Sequence, residues 1–231
     1  MTVINDLGIV IAAGGSSSRF GAENKLFASL HGKPVFIYCI ITFCKIVPPE
    51  NIVVTVPKDL ISDFEQILDM EPGCKRVKVV AGGQTRTASV KNGIKAIGRN
   101  LTYVAIHDAA RPLVTNKLLA DCYHEAQMSQ AAIPGKRVTD TIKRVTTDLT
   151  IDETVDRDCL VSVETPQVFC LPTLLSAYKK ATGDDIEATD DAGIMEHAGY
   201  SPKIVLSDKL NLKITYEEDL LLVRAYLGCN S

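Results

Sequence analysis

The stretch LGIVIAAGGSSSRFGAENK, residues 7–25, decides the fold. An apolar, β-branched run empties into two alanines, two glycines and three serines, and Arg19 and Lys25 then follow six residues apart. A short, nearly continuous apolar run suits a strand buried on both faces of a sheet. The small residues after it let backbone N–H groups approach an anion closely. No Gly-Lys-Ser/Thr follows, so this is not a Walker loop, and glycines at 14, 15 and 21 do not make GxGxxG. Taken alone, the stretch reads either as a structural turn trailed by two solvated cations or as a cradle for a phosphate.

Working outward, three more runs share the character of the first: NIVVTV (51–56), RVKVVAG (76–82) and YVAIHDA (103–109). Helix-patterned segments at 33–46, 59–70 and 86–97 separate the four, and 115–129 follows the last. Strand–helix alternation implies right-handed crossovers and an α/β fold, a mostly parallel sheet with helices on both faces. The rhythm breaks after residue 134. RVTDTIKRVTTDLTIDETVDR (137–157) is rich in threonine and valine around a turn signal, which predicts a protruding β-hairpin arm at about 136–158. An isolated hairpin is marginally stable, so a partner subunit is the expected support. Helices at 172–182 and 189–198, strands at 203–206 and 211–215 and a last helix from 216 complete one domain over 1–231.

Bulk properties narrow the function classes. The chain has 231 residues, 46% hydrophobic and 23% charged, with a net charge of -3. That is the profile of a globular protein without the basic excess that draws a whole molecule to nucleic acid or anionic lipid. The longest apolar run, VFIYCIITFC (35–44), is too short to span a bilayer. No basic stretch precedes an apolar core at the N-terminus, so no secretory signal is expected. Seven cysteines without a CxxC pair read as reduced thiols, and a cytoplasmic location is expected.

Ligands of open parallel sheets bind beyond the carboxyl ends of the strands. The third strand leads into AGGQTRTASVKNG (81–93), a second Gly-Gly turn followed by Arg86 and Ser89. Arg86 reads as the partner of an acid or as part of a nucleotide contact surface. The fourth leads into IHDAARP (106–112), where Asp108 stands at the mouth of an apolar strand. A carboxylate there suits Mg²⁺, which takes one or two carboxylates plus ligand phosphates, whereas His107 reads as a packed histidine. Lys213 lies in a strand-like pattern, and Glu217, Glu218 and Asp219 read as acids favouring a helix start.

AAGGSSSRFGAENK, GGQTRTASVKNGI, HDAARP, TDTIKRV, TVDRDCL, TPQVF and NLKITYEEDL occur in this order over almost the whole chain. Together they closely resemble the 2-C-methyl-D-erythritol 4-phosphate cytidylyltransferase family of isoprenoid precursor biosynthesis. The resemblance implies a Rossmann-like domain, a homodimer made by the arm, Mg²⁺, and transfer of CMP from CTP to methylerythritol phosphate with release of pyrophosphate. It implies that Ala12, Ala13, Gly14 and Gly15 wrap the CTP phosphates and cytosine edge, with Gly83, Gln84, Arg86 and Ser89 completing the pocket. Asp108 would bind Mg²⁺ with Ala109 alongside, and Arg19 and Lys25 would stabilise the transition state. Arg157 and Lys213 would position the acceptor, helped by Arg111, Thr141 and Thr165, with Arg157 and Thr141 serving the neighbouring subunit.

The chain departs from the family pattern at Ser16–Ser18 and at PGKRVTDT (134–141), neither of which touches a matched catalytic position. A sister reaction, CTP transfer to ribitol 5-phosphate, is the nearest alternative; Ala-Ala-Gly-Gly, TVDR and NLKIT favour methylerythritol phosphate. A nucleotide-binding regulator without turnover is disfavoured by the retained Arg19, Lys25, Asp108, Arg157 and Lys213. A dinucleotide oxidoreductase is disfavoured by the missing GxGxxG and by Pro57 and Lys58 where an acid would follow the second strand.

Overall fold

The structure is a computed structural model and describes residues 2–15, 20, 24–98, 100–186 and 188–229. Its first half contains β1 (Leu7–Ala12), β2 (Ser29–Leu30), β3 (Lys33–Pro34), α1 (Val35–Phe43), β4 (Ile52–Val56), α2 (Ile61–Met70), β5 (Lys78–Ala81), α3 (Arg86–Ala96), β6 (Tyr103–Asp108) and α4 (Asn116–Ser129). Then come β7 (Ala131–Arg137), β8 (Ile142–Val145), β9 (Ile151–Val155), β10 (Val161–Val163), β11 (Gln167–Cys170), α5 (Leu171–Gly183), α6 (Asp191–His197), β12 (Lys203–Leu206) and α7 (Glu217–Gly228).

One sheet runs β10-β7-β11-β6-β1-β4-β5, with β12 beside β7. The four apolar runs pair in parallel, Ile9 opposite both Ile52 and Ala105, and Val53 opposite Lys78. β11 is antiparallel to β6 and β7, β10 is antiparallel to β7, and β12 is parallel to β7. Alternate residues of β1 explain the two covered faces. Ile9 and Ile11 pack with Phe36, Ile40, Phe64 and Leu119 of α1, α2 and α4. Val10 packs on the other side with Val90, Leu174, Ala177 and Ile194 of α3, α5 and α6. Each fully buried side chain of this size contributes roughly 1.5–3 kcal/mol. Gly93 lets α3 lie close, since a Cβ there would stand 2.4 Å from Val10 Cγ1. The α/β expectation therefore holds.

The second half departs from expectation in two ways. Residues 211–215 form no strand: their described backbone bond is Ile214 N to Ala110 O at 2.8 Å, and side chains hold the rest. Arg111 Nη1 donates to Asn211 O at 2.8 Å, and Asn211 Nδ2 donates to Thr165 O and Glu164 Oε2. The three strands β7, β10 and β11 are additional, and they carry the sheet past β6.

The predicted hairpin is present. β8 and β9 make their own two-stranded sheet, with Val145, Leu149 and Ile151 exposed. No helix among the described residues is long and apolar enough to cross a membrane.

Candidate active site

At the carboxyl ends of β1, β5 and β6 lies a cleft of about 300 Å³. Two glycine-rich turns make its walls. From the first turn come Ala12, Ala13, Gly14, Gly15 and Lys25, and from the second come Gly83, Gln84, Arg86 and Ser89. Asp108 and Ala110 after β6 and Lys213 and Thr215 before α7 close the remaining side. Arg19 and Ser16–Ser18 lie outside the described residues.

The second turn is built by the helix it feeds. Thr85 caps α3, its hydroxyl accepting from Ala88 N at 3.1 Å. Ser89 Oγ accepts from Gly83 N at 2.9 Å and donates to Thr85 O at 3.0 Å. Ser89 thus lines the cleft while its hydroxyl fastens the turn, and Thr85 caps the helix.

Asp108 is the electrostatic centre. Lys213 Nζ donates to its Oδ2 at 2.8 Å, while Arg86 Nε stands 3.7 Å from Oδ1 and Arg111 Nε 3.8 Å from Oδ2. Burial pushes the carboxyl upward, but Lys213, Arg86 and Arg111 outweigh it and hold the pKa at about 2. Asp108 is therefore ionised throughout the physiological range.

Beneath it runs a chain of donors with one consistent direction. Asp108 N donates to Thr165 Oγ1 at 3.1 Å, and the Thr165 hydroxyl faces His107 Nδ1 at 3.0 Å. His107 Nε2 meets Arg111 O at 3.2 Å, which requires the proton on Nε2 and leaves Nδ1 as the acceptor. Burial of the ring pushes its pKa down to about 3, so it stays neutral. His107 is a packed histidine, as expected.

Not every expected site residue reaches the cleft. Ala109 is fully buried behind the wall that Ala110 lines, and Thr165 is buried with its hydroxyl engaged below Asp108. Arg111 stands beside Asp108, its buried Nε without a hydrogen-bond partner among the described residues. Thr141 and Arg157 are exposed at the arm, away from the cleft lining, with Arg157 donating to Thr139 O. Glu217, Glu218 and Asp219 occupy the first turn of α7, and Asp219 accepts from Thr215 N and Tyr216 N. Asn211 and Asp191 were missed. Asn211 sits in an apparent strand, and Asp191 in an apparent helix start whose second aspartate was the available signal.

The cleft's donor set also answers what a metal would find. Among the described residues no group of three or more His, Cys, Asp or Glu side chains could hold an ion. One permanently ionised carboxylate fits a hard cation that arrives sharing phosphate ligands, not a resident ion in a protein cage.

Comparison with known proteins gives this geometry a lineage. The profile described as IspD, 2-C-methyl-D-erythritol 4-phosphate cytidylyltransferase, matches residues 7–229. The enzyme of that name from Caldanaerobacter subterraneus subsp. tengcongensis is 38% identical over 97% of this chain and 99% of its own. That from Halalkalibacterium halodurans is 37% identical over 95% and 96%. The crystal structure of 4-diphosphocytidyl-2C-methyl-D-erythritol synthase from Anaerococcus prevotii superposes with a TM-score of 0.83 at 26% identity, covering 96% of this chain and 98% of that one. The Thermus thermophilus cytidylyltransferase gives 0.79 at 28% identity, covering 99% and 100%. With a profile spanning nearly its whole length and relatives above 30% identity over almost all of it, this chain belongs to the 2-C-methyl-D-erythritol 4-phosphate cytidylyltransferase family.

Proposed function

We infer that the protein transfers CMP from CTP to 2-C-methyl-D-erythritol 4-phosphate and releases pyrophosphate, and that the cleft around Asp108 is where it does so. The observation that carries the reading is the meeting of two glycine-rich turns with Lys25, Arg86 and Lys213 around one ionised carboxylate. The named relatives are all methylerythritol phosphate enzymes, so the pentitol phosphate alternative is not favoured.

An acceptor phosphate oxygen is the nucleophile. It forms a bond to the α-phosphorus of CTP as the bond from that phosphorus to the bridging oxygen breaks and pyrophosphate leaves. The second pKa of a phosphate monoester is about 6, so no side chain need remove a proton. The obstacle is the approach of two polyanions, and fixed positive charge is the remedy. Among the described residues, a Cβ at Gly15 would touch nothing within 4 Å and one at Gly14 only Ser89 Oγ at 3.7 Å. The N–H groups of both glycines suit the triphosphate, and Lys25 with Arg19 suits the charge that builds on the transferring phosphoryl group. Arg86, Gly83, Gln84 and Ser89 make the nucleotide wall, and Ala109 packs behind Asp108. Asp108 would hold Mg²⁺, which supplies neutralisation of the triphosphate when bound. Lys213 and Arg111, both beside Asp108, suit the acceptor phosphate.

The arm is read as the seat of a homodimer. Its exposed Val145, Leu149 and Ile151 need a cover, and Arg157 and Thr141 would reach the partner's acceptor site. The seven free cysteines suit a reducing, cytoplasmic setting. Pyrophosphate release with CTP, Mg²⁺ and either methylerythritol phosphate or ribitol 5-phosphate tests the assignment. Release with the first alone is expected, and release with ribitol 5-phosphate alone would overturn the acceptor.

A further inference from the structure

A buried network stands behind the nucleotide wall, and the reaction described above does not use it. Arg86 begins α3 and meets carboxylates on two sides. Its Nη1 donates to Asp191 Oδ2 at 2.6 Å, while its Nε is 3.7 Å from Asp108 Oδ1. The Asp191 side chain is 1% exposed, and its other oxygen accepts from the Tyr178 hydroxyl. Lys91 Nζ lies 5.2 Å over the ring of Tyr178.

The carboxylate itself is fixed from below. Asp190 caps α6 by accepting from Gly193 N at 2.9 Å, and its Oδ2 accepts from Gln167 Nε2 at 2.7 Å. Gln167 Oε1 accepts in turn from Ala192 N at 3.2 Å. The start of α6 is thereby tied to β11, leaving Asp191 little freedom to follow a moving partner. Burial pushes the Asp191 carboxyl up, and Arg86 and the Tyr178 hydroxyl pull it back toward the charged form.

Desolvating an ion pair costs several kcal/mol per ion, so such a pair is a poor device for stability. Its geometry suits a different purpose. Asp108 is a second anion within reach of Arg86, and a guanidinium released from Asp191 would close the 3.7 Å gap. That would shield the carboxylate assigned to the metal and withdraw Arg86 from the nucleotide wall.

We propose that Asp191, backed by Tyr178, is a positioning residue that holds Arg86 away from Asp108 and aims it at the bound nucleotide. The proposal rests on the reading of Arg86 as part of the CTP wall.

Steady-state kinetics of Asp191→Asn, Tyr178→Phe, Arg86→Gln and the double variant Asp191→Asn/Arg86→Gln, with thermal midpoints, test it. Asp191→Asn is expected to raise the KM for CTP about tenfold, the effect of one charge-assisted hydrogen bond, with the acceptor KM unchanged. Tyr178→Phe keeps the ion pair and is expected to raise it roughly two- to fivefold. The double variant is expected to match Arg86→Gln, because the two residues act as one unit. A merely structural Asp191 would lower the thermal midpoint, leave the CTP KM alone and add its cost to that of Arg86→Gln. Either of the last two results overturns the proposal. If Asp191→Asn does not fold, an unchanged CTP KM in Tyr178→Phe overturns it instead. A raised KM in Arg86→Gln with none in the other single variants defeats this inference alone. No change in Arg86→Gln defeats the nucleotide wall as well.

Discussion

The two glycine-rich turns look alike in sequence and differ in what their glycines are for. In AGG (81–83), a Cβ on Gly83 would stand 2.4 Å from Ala88 Cβ and 3.0 Å from its carbonyl carbon. Gly82 is similar, 2.8 Å from Ser89 Oγ. In AAGG (12–15), among the described residues, a Cβ on Gly14 would meet only Ser89 Oγ at 3.7 Å, and one on Gly15 nothing within 4 Å. Neither glycine of the first turn adopts a positive φ. The second turn needs glycine so that a helix can pack. Among the described residues nothing packs against the first in that way, which agrees with the proposal that its bare backbone faces the triphosphate.

That contrast makes predictions of graded size. Removing a cation that the proposed mechanism uses should hurt most. Lys25→Ala, and Arg19→Ala likewise, should lower kcat about a hundredfold, or about 3 kcal/mol, while the protein stays folded. Initial rates of pyrophosphate release check this, and near-normal turnover in both would remove them from the mechanism. In the packed turn, Gly83→Ala should cost roughly 1–3 kcal/mol of stability through overpacking against α3, read by denaturant unfolding. An undiminished midpoint would erase the contrast between the turns.

The carboxyl end of β6 adds a pH-dependent effect that is absent at neutral pH. His107 has its folded pKa depressed to about 3, so the unfolded chain takes up the proton first as pH falls. Stability is intact above about 6.5 and should fall by at most about 1.4 kcal/mol per pH unit below it, until about pH 3. His107→Gln should flatten the dependence of unfolding free energy on pH between 6.5 and 4. An identical slope would mean that His107 is not the neutral link beneath Asp108.

Which parts of this were legible follows from how locally each is determined. β1, β4 and β6 are buried on both faces, so their apolar runs declare themselves, and β5, half-buried at the sheet edge, keeps enough of the same β-branched pattern to be read. β7 reads AAIPGKR, and its alanines, proline and glycine carry no strand signal. It is a strand because β11, β10 and β12 supply its ladder. NLKIT alternates like a strand, but Asn211 spends its amide on Thr165 and Glu164 and anchors an irregular segment. The two turns and Asp108 were legible because strand ends and small residues mark them, whereas Lys213 was singled out by the family resemblance alone. Asp191 was not, because its partner Arg86 lies 105 positions away in sequence.

The most direct test of the central claim is a calorimetric titration of CTP with Mg²⁺ into the wild type and Gly15→Val, with thermal midpoints measured alongside. A side chain at Gly15 would occupy space that the described residues leave open and that the triphosphate is proposed to fill. The account predicts an unchanged midpoint and CTP affinity weakened by at least about tenfold. Undiminished CTP affinity in the folded variant would contradict it.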